Sequence, residues 1–177
     1  MAAEVGHPTV SDPDPSDNVV TDMNRVLALD LGSAPAPYPT SVADDGARHG
    51  VDGLLHLGSS ATEDDGVVFV DPVDPGATVR LEVSASAIGR LDAWVDLDRD
   101  GDWDGAAERV LGNVQVSAGV NHVSVSIPPT AIPGPTWARF RLSRLGGLEV
   151  TGVADHGEVE DHRLETVPVT LQSFRVE

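Results

Sequence analysis

The stretch VDLDRDGDWDGAAERV, residues 95–110, places aspartates at 96, 98, 100, 102 and 104 with a glycine at 101. Carboxylates this close repel one another, and a bound divalent cation is the chemistry that relieves the repulsion. The stretch compares with the calcium-loop pattern D-x-[DN]-x-[DN]-G. Asp96, Asp98 and Asp100 stand at the first, third and fifth positions, and Gly101 supplies the sharp turn. Asp102 offers its backbone carbonyl, and Asp104 a water-bridged carboxylate. The pattern then slips: its twelfth position is Ala107, and Glu108 follows one residue late. The flanks read as strand, so the expectation is a calcium loop at a strand end, not an EF-hand. Its expected ligands are Asp96, Asp98, Asp100, Asp102 and Glu108. The competing reading is a solvated acidic turn.

A second acidic group is divided between two distant segments. GEVED, residues 157–161, carries Glu158, Glu160 and Asp161, and EDDG, residues 63–66, carries Glu63, Asp64 and Asp65. These six are a candidate second cation site. The alternative puts Glu158 and Glu160 on an exposed strand face, paired with Arg139 or Arg141. His49, His56, His156 and His162 lack zinc-site spacing and are expected on the surface or at caps. No serine sits in a G-x-S-x-G elbow, and the paired carboxylates lie in Gly-rich turns without an aromatic cleft. Binding, not turnover, is therefore expected. Trp94, Trp103 and Trp137 are candidates for stacking on a sugar, although core packing is the commoner use of tryptophan.

The elements that must position these residues read as strands. The stretches 78–87, 121–127 and 137–143 alternate apolar and polar residues with period two. VVFV (67–70), LDAWVDL (91–97) and VPVTLQSFRV (167–176) are further candidates, with shorter ones near 114–116 and 158–164. Pro- and Gly-rich turns separate them, and no long amphipathic helix intervenes. That pattern predicts an all-β fold, a jelly-roll-like β-sandwich with long acidic loops. Residues 31–53, with Pro35, Pro37 and Pro39, show no strand pattern and are expected to be loop. Residues 1–26 are polar, acidic and Pro-rich. They are expected to be a linker, or a strand from a preceding surface-protein repeat, ahead of a main domain over 27–177.

The chain has 177 residues, 11 basic against 29 acidic, and a formal net charge of -18. Nucleic acid and anionic membrane surfaces are poor partners for such a surface, and divalent cations are good ones. Cysteine is absent, which excludes thiolate zinc sites and disulfides. No apolar run is long enough for a membrane span. The opening residues MAAEVGHPTV lack the basic and apolar regions of a signal peptide, so an exported protein would present this chain as a mature portion or one domain.

Several motifs stand in a fixed order: DLGSAPAPYPT (30–40), DDGARH (44–49), LGSS (57–60), EDDGV (63–67), LDAWVDLDRDGDWDGAAERV (91–110), ARFRLS (138–143) and GEVED (157–161). In this order, over residues 29–165, the chain resembles the GEVED domain family of bacterial secreted and cell-surface proteins. Two departures stand out. His162 follows GEVED where an aromatic is usual, and the stretch between LGSS and EDDGV lacks the long acidic insert of many relatives. Residues 12–22, DPDPSDNVVTD, also look like the closing strand of another β-repeat of bacterial surface proteins. The resemblance implies a β-sandwich module of a larger extracellular protein, with acidic metal-binding loops and no catalytic role. The expected function is a calcium-binding structural or adhesive module at the bacterial cell surface. Its expected partners are neighbouring domains or copies of itself. The alternative is a carbohydrate-binding module in which an exposed Trp103 and acidic loops hold a polysaccharide.

Overall fold

The computed structural model describes residues 28–166. The expectations for residues 1–26 and for a strand over 167–176 lie outside them. The described chain forms ten strands: β1 (Ala28–Leu31), β2 (Arg48–Val51), β3 (Val67–Phe69), β4 (Thr78–Ala85), β5 (Gly89–Val95), β6 (Arg109–Val116), β7 (Gly119–Ser126), β8 (Gly134–Ser143), β9 (Val153–Ala154) and β10 (Glu158–Thr166). One 3₁₀ turn, Val42–Asp44, joins them, and there is no α-helix among the described residues. The fold is an all-β sandwich.

Two sheets enclose the main core. One is antiparallel with strand order β3-β4-β7, the other antiparallel with order β10-β8-β5-β6. Alternation in β4 sends Val79, Leu81 and Val83 inward while Thr78, Arg80 and Glu82 face solvent. They meet Leu91, Ala93 and Val95 of β5 and Ala138, Phe140 and Leu142 of β8 in one apolar cluster. Phe69 packs edge-on against Phe140, with ring centroids 5.9 Å apart.

The four-stranded sheet is buried on both faces. Its outer face carries Asp92 and Trp94 of β5, Arg139 and Arg141 of β8 and Asp161 of β10, and all five are buried. A small third sheet, β1-β2-β9, and the segments 32–40 and 144–152 cover this face. The expectation of unstructured loop over residues 31–53 is thus corrected in part, since β2 and the 3₁₀ turn lie within it. RHGV of β2 shows no alternation, since the adjacent His49 and Gly50 are both buried; it pairs over four residues with β1 and two with β9.

Burying two guanidiniums requires a partner for nearly every N–H. Arg139 forms a fork with Asp161, donating from Nε to Oδ1 and from Nη2 to Oδ2, each at 2.8 Å. Its Nη1 donates to the carbonyls of Pro39 and Val150. Arg141 faces no such carboxylate. It donates to His49 Nε2 and to the carbonyls of Glu149, Thr151 and Gly152, and burial lowers its pKa to about 10. His49 is therefore a fully buried acceptor and not the surface or capping residue expected. Burial and the facing Arg141 push its pKa down to about 3.

Candidate metal centre

The acidic loop leaves β5 at Val95 and returns at Arg109, the start of β6. Asp98, Asp100 and Asp102 each accept from the amide two residues ahead, so the loop coils as successive Asx turns. Arg99 and Gly101 take positive φ, 62° and 95°. The unusual backbone at Arg99 is held by its side chain, which donates to the carbonyls of Pro133 and Pro135. At Gly101 a side chain would also meet Pro37, since a Cβ would lie 2.5 Å from its Cγ.

Three of the five expected ligands converge. Carboxylate oxygens of Asp96, Asp98 and Glu108 all lie within 4.8 Å of one another. Calcium–oxygen distances of about 2.3–2.6 Å place ligands on opposite sides of one ion about 5 Å apart, so the spacing fits. Asp96 and Glu108 are buried, while Asp98 is exposed and leaves the group open on one side. The Asp100 carboxylate falls outside this group and accepts from the amide of Asp102; Asp102, expected to offer its backbone carbonyl, turns its side chain to the amide of Asp104.

Backbone amides orient the two buried acids. Asp96 accepts from Arg99 N at 2.5 Å and Gly101 N at 3.2 Å, and Tyr38 Oη donates to its Oδ2 at 2.5 Å. Glu108 accepts from Leu97 N at 2.8 Å and Gly105 N at 3.0 Å. The amide of Glu108 also bonds the carbonyl of Gly105, and this tight turn brings the late glutamate to the cluster. Burial, with a smaller contribution from Asp96 and Asp98, lifts the Glu108 carboxyl to about 7. Asp104 is raised chiefly by Asp102 beside it. A cation seated among these oxygens would replace the repulsion with attraction. A cleft of about 360 Å³, lined in part by Asp98, Glu108, Thr130 and Ala131, opens beside the cluster.

The six residues of the candidate second site fare differently. Glu63, Asp64 and Asp65 are exposed, and Glu158, Glu160 and Asp161 are buried. Glu158 and Glu160 pair in register with core-facing Leu142 and Phe140, whereas Asp161 pairs with Arg139 on the opposite face. The sheet itself divides the set. Asp161 holds Arg139 and the amide of Ala34. Glu158 accepts from Leu57 N, and Glu160 from Gly66 N at 2.8 Å and opposite His162 Nε2 at 2.9 Å. Asp65 accepts from Ser59 N and Oγ, and Asp64 from Ser33 Oγ. The alternative of an exposed strand face with Glu158 or Glu160 paired to an arginine is corrected: neither acid is exposed, and Asp161 takes Arg139.

The sequence reading missed Asp30, Asp92 and Tyr38. Asp30 accepts from Val159 N at 2.7 Å, and burial raises its pKa to about 7. Asp92 accepts from Arg109 and from the amides of Asn113 and Leu148. Their only sequence signal is an acid at a position of a strand pattern. Tyr38 gives none, because it lies 58 residues from its partner. The carbohydrate alternative required an exposed Trp103. That tryptophan is 2% exposed, between Tyr38 and the Arg139 guanidinium, and its Nε1 donates to the Trp137 carbonyl. Packing of the loop onto the outer face of the sheet is what buries it.

The geometry defines an all-β sandwich with, among the described residues, one convergent carboxylate group, on the loop between β5 and β6. Residues 90–165 match the GEVED domain. The match takes in the acidic loop and GEVED itself, while the DLGSAPAPYPT, LGSS and EDDGV motifs lie ahead of it and pack against it. Comparisons with curated proteins and with solved structures returned no match.

Proposed function

We propose that this chain is a non-catalytic, calcium-binding structural or adhesive module of a larger extracellular bacterial protein. The observation that carries the reading is the convergence of Asp96, Asp98 and Glu108 within 4.8 Å, two of them buried and aimed by backbone amides. Every candidate ligand is oxygen, and calcium accepts six to eight oxygens in flexible geometry. Magnesium demands a tighter octahedron and keeps its waters, so it competes poorly. The net charge of -18 favours cations and disfavours phosphate-bearing partners. Partners under this reading are neighbouring domains of the same polypeptide or further copies of the module.

Isothermal titration of the chelator-treated chain with calcium is the test. One site with a dissociation constant of roughly 10⁻³ M or tighter is expected, in the range of extracellular modules. Equal affinity for magnesium, or no binding at millimolar calcium, would leave the solvated acidic turn as the better account.

A further inference from the structure

Tyr38 lies in residues 32–40, a strap across the outer face of the four-stranded sheet. Its hydroxyl donates to Asp96 Oδ2 at 2.5 Å. Its ring sits 4.5 Å, centroid to centroid, from Trp103 of the acidic loop. On its two sides, Pro37 abuts Gly101 and the carbonyl of Pro39 accepts from Arg139 Nη1. The Arg139 guanidinium lies 4.3 Å from the Trp103 ring centroid. At the near end of the strap, the amide of Ala34 donates to Asp161, the carboxylate that neutralises Arg139. Strap, acidic loop and buried ion pair thus interlock through three consecutive residues, 37–39. Asp96 is 1% exposed and belongs to both the strap contact and the convergent carboxylates.

We infer that Tyr38 is a positioning residue for the metal centre, and that through it cation binding in the acidic loop holds the strap closed over the Arg139–Asp161 pair. The choice of calcium as effector rests on the function proposed above, whereas the coupling rests on these contacts alone. A hydrogen bond to a ligating group fixes the ligand's orientation, and its loss commonly weakens metal binding about 10–100-fold. Linkage makes the effect reciprocal: if the closed strap favours the ion, the ion favours the closed strap by the same factor.

Tyr38→Phe removes the hydroxyl and keeps the ring on Trp103. Two quantities are measured: calcium affinity by titration, and hydrogen exchange at the amides of Ala34 and Tyr38, which bond Asp161 and the Pro35 carbonyl. In the unaltered chain, saturating calcium is expected to slow both amides about tenfold, by the reciprocity just described. In Tyr38→Phe, affinity falls about tenfold. Saturating calcium then still slows the loop amides of Leu97 and Gly105 but no longer the strap. A purely structural Tyr38 would lower strap protection equally with and without calcium and leave affinity unmoved, which overturns the inference. Failure of the calcium reading shows separately, as no heat of binding and no protection of Leu97 or Gly105 in the unaltered chain. The coupling is then read in chelator, where Asp96→Ala is expected to speed exchange at Ala34 and Tyr38, with no further change on adding Tyr38→Phe. Unaltered strap exchange in a folded Asp96→Ala variant would overturn it.

Discussion

In the loop 96–108 the carboxylates of Asp96, Asp98 and Glu108 come together, whereas in β10 Glu158 and Glu160 face one side of the sheet and Asp161 the other. Both stretches are acidic, and both place acids at alternate positions. Backbone conformation separates them. Extended strand sends neighbouring side chains to opposite faces, so Asp161 is parted from Glu158 and Glu160 by the sheet. Asx turns and positive φ at Arg99 and Gly101 coil the loop, and its acids can share one centre. The acids of β10 are consumed as internal partners: Leu57 N, Gly66 N, Arg139 and Ala34 N occupy them. In the loop, Asp98 stays exposed and the cluster stays open on that side. Acidic density therefore does not by itself bring carboxylates together; a coiled backbone does.

The sharpest way to break this comparison is at Asp161. Asp161→Ala leaves the Arg139 guanidinium buried and unneutralised, and the expected loss is roughly 3–5 kcal/mol in urea unfolding, which added calcium does not make good. A small loss, or one that calcium restores, would erase the distinction between the two regions. Glu158 is tested next, by pH. Burial foremost, then Glu160, Asp30 and Asp64, raises its carboxyl from 4.5 to about 9. The folded chain thus keeps a proton that the unfolded chain releases, and this contribution to stability is full below about 4.5 and lost as pH rises through 9. Glu158→Gln is expected to flatten that decline between pH 6 and 10 while keeping an acceptor for Leu57 N. An unchanged slope would show that Glu158 is ionised in the fold.

Smaller effects belong to the loop. With a dissociation constant of roughly 10⁻⁴ to 10⁻³ M, 5 mM calcium stabilises the fold by roughly 1–2 kcal/mol. Asp98→Ala should abolish most of this increment and leave the chelated protein near its original melting temperature. If the calcium increment survives, Asp98 is not a ligand. The smallest effect is expected at Glu63, an exposed acid outside the convergent group. Glu63→Gln should change neither the melting temperature nor calcium affinity, and a loss of affinity would restore the EDDG segment as a ligand source.

Much of this fold is legible in the chain because alternation is a local signal. TVRLEVSA reads directly as β4, and the inward set of β8 reads from Ala138, Phe140 and Leu142. The outer face of β8 does not. Arg139 and Arg141 alternate as solvent-facing residues would, yet both are buried beneath a third layer drawn from weakly patterned segments. Of the convergent carboxylate group, Asp96 and Asp98 are legible from the loop pattern, and Glu108 as a late acid within reach. Their convergence without Asp100 was not, because it depends on how the loop coils and not on the spacing of the aspartates.

By itself, then, the sequence determined an all-β sandwich, a loop crowded with carboxylates, and the match of residues 90–165 to the GEVED domain, since hydrophobic period, charge and motif order depend only on neighbours along the chain. Tertiary structure decided which acids converge, which neutralise buried arginines, and that Trp103 lies beneath Tyr38 and Arg139 instead of facing solvent. Those outcomes depend on pairings across 58 and 127 residues, Tyr38 with Asp96 and Ala34 with Asp161. The burial that gives such contacts their strength exists only once the third layer has closed over the sheet.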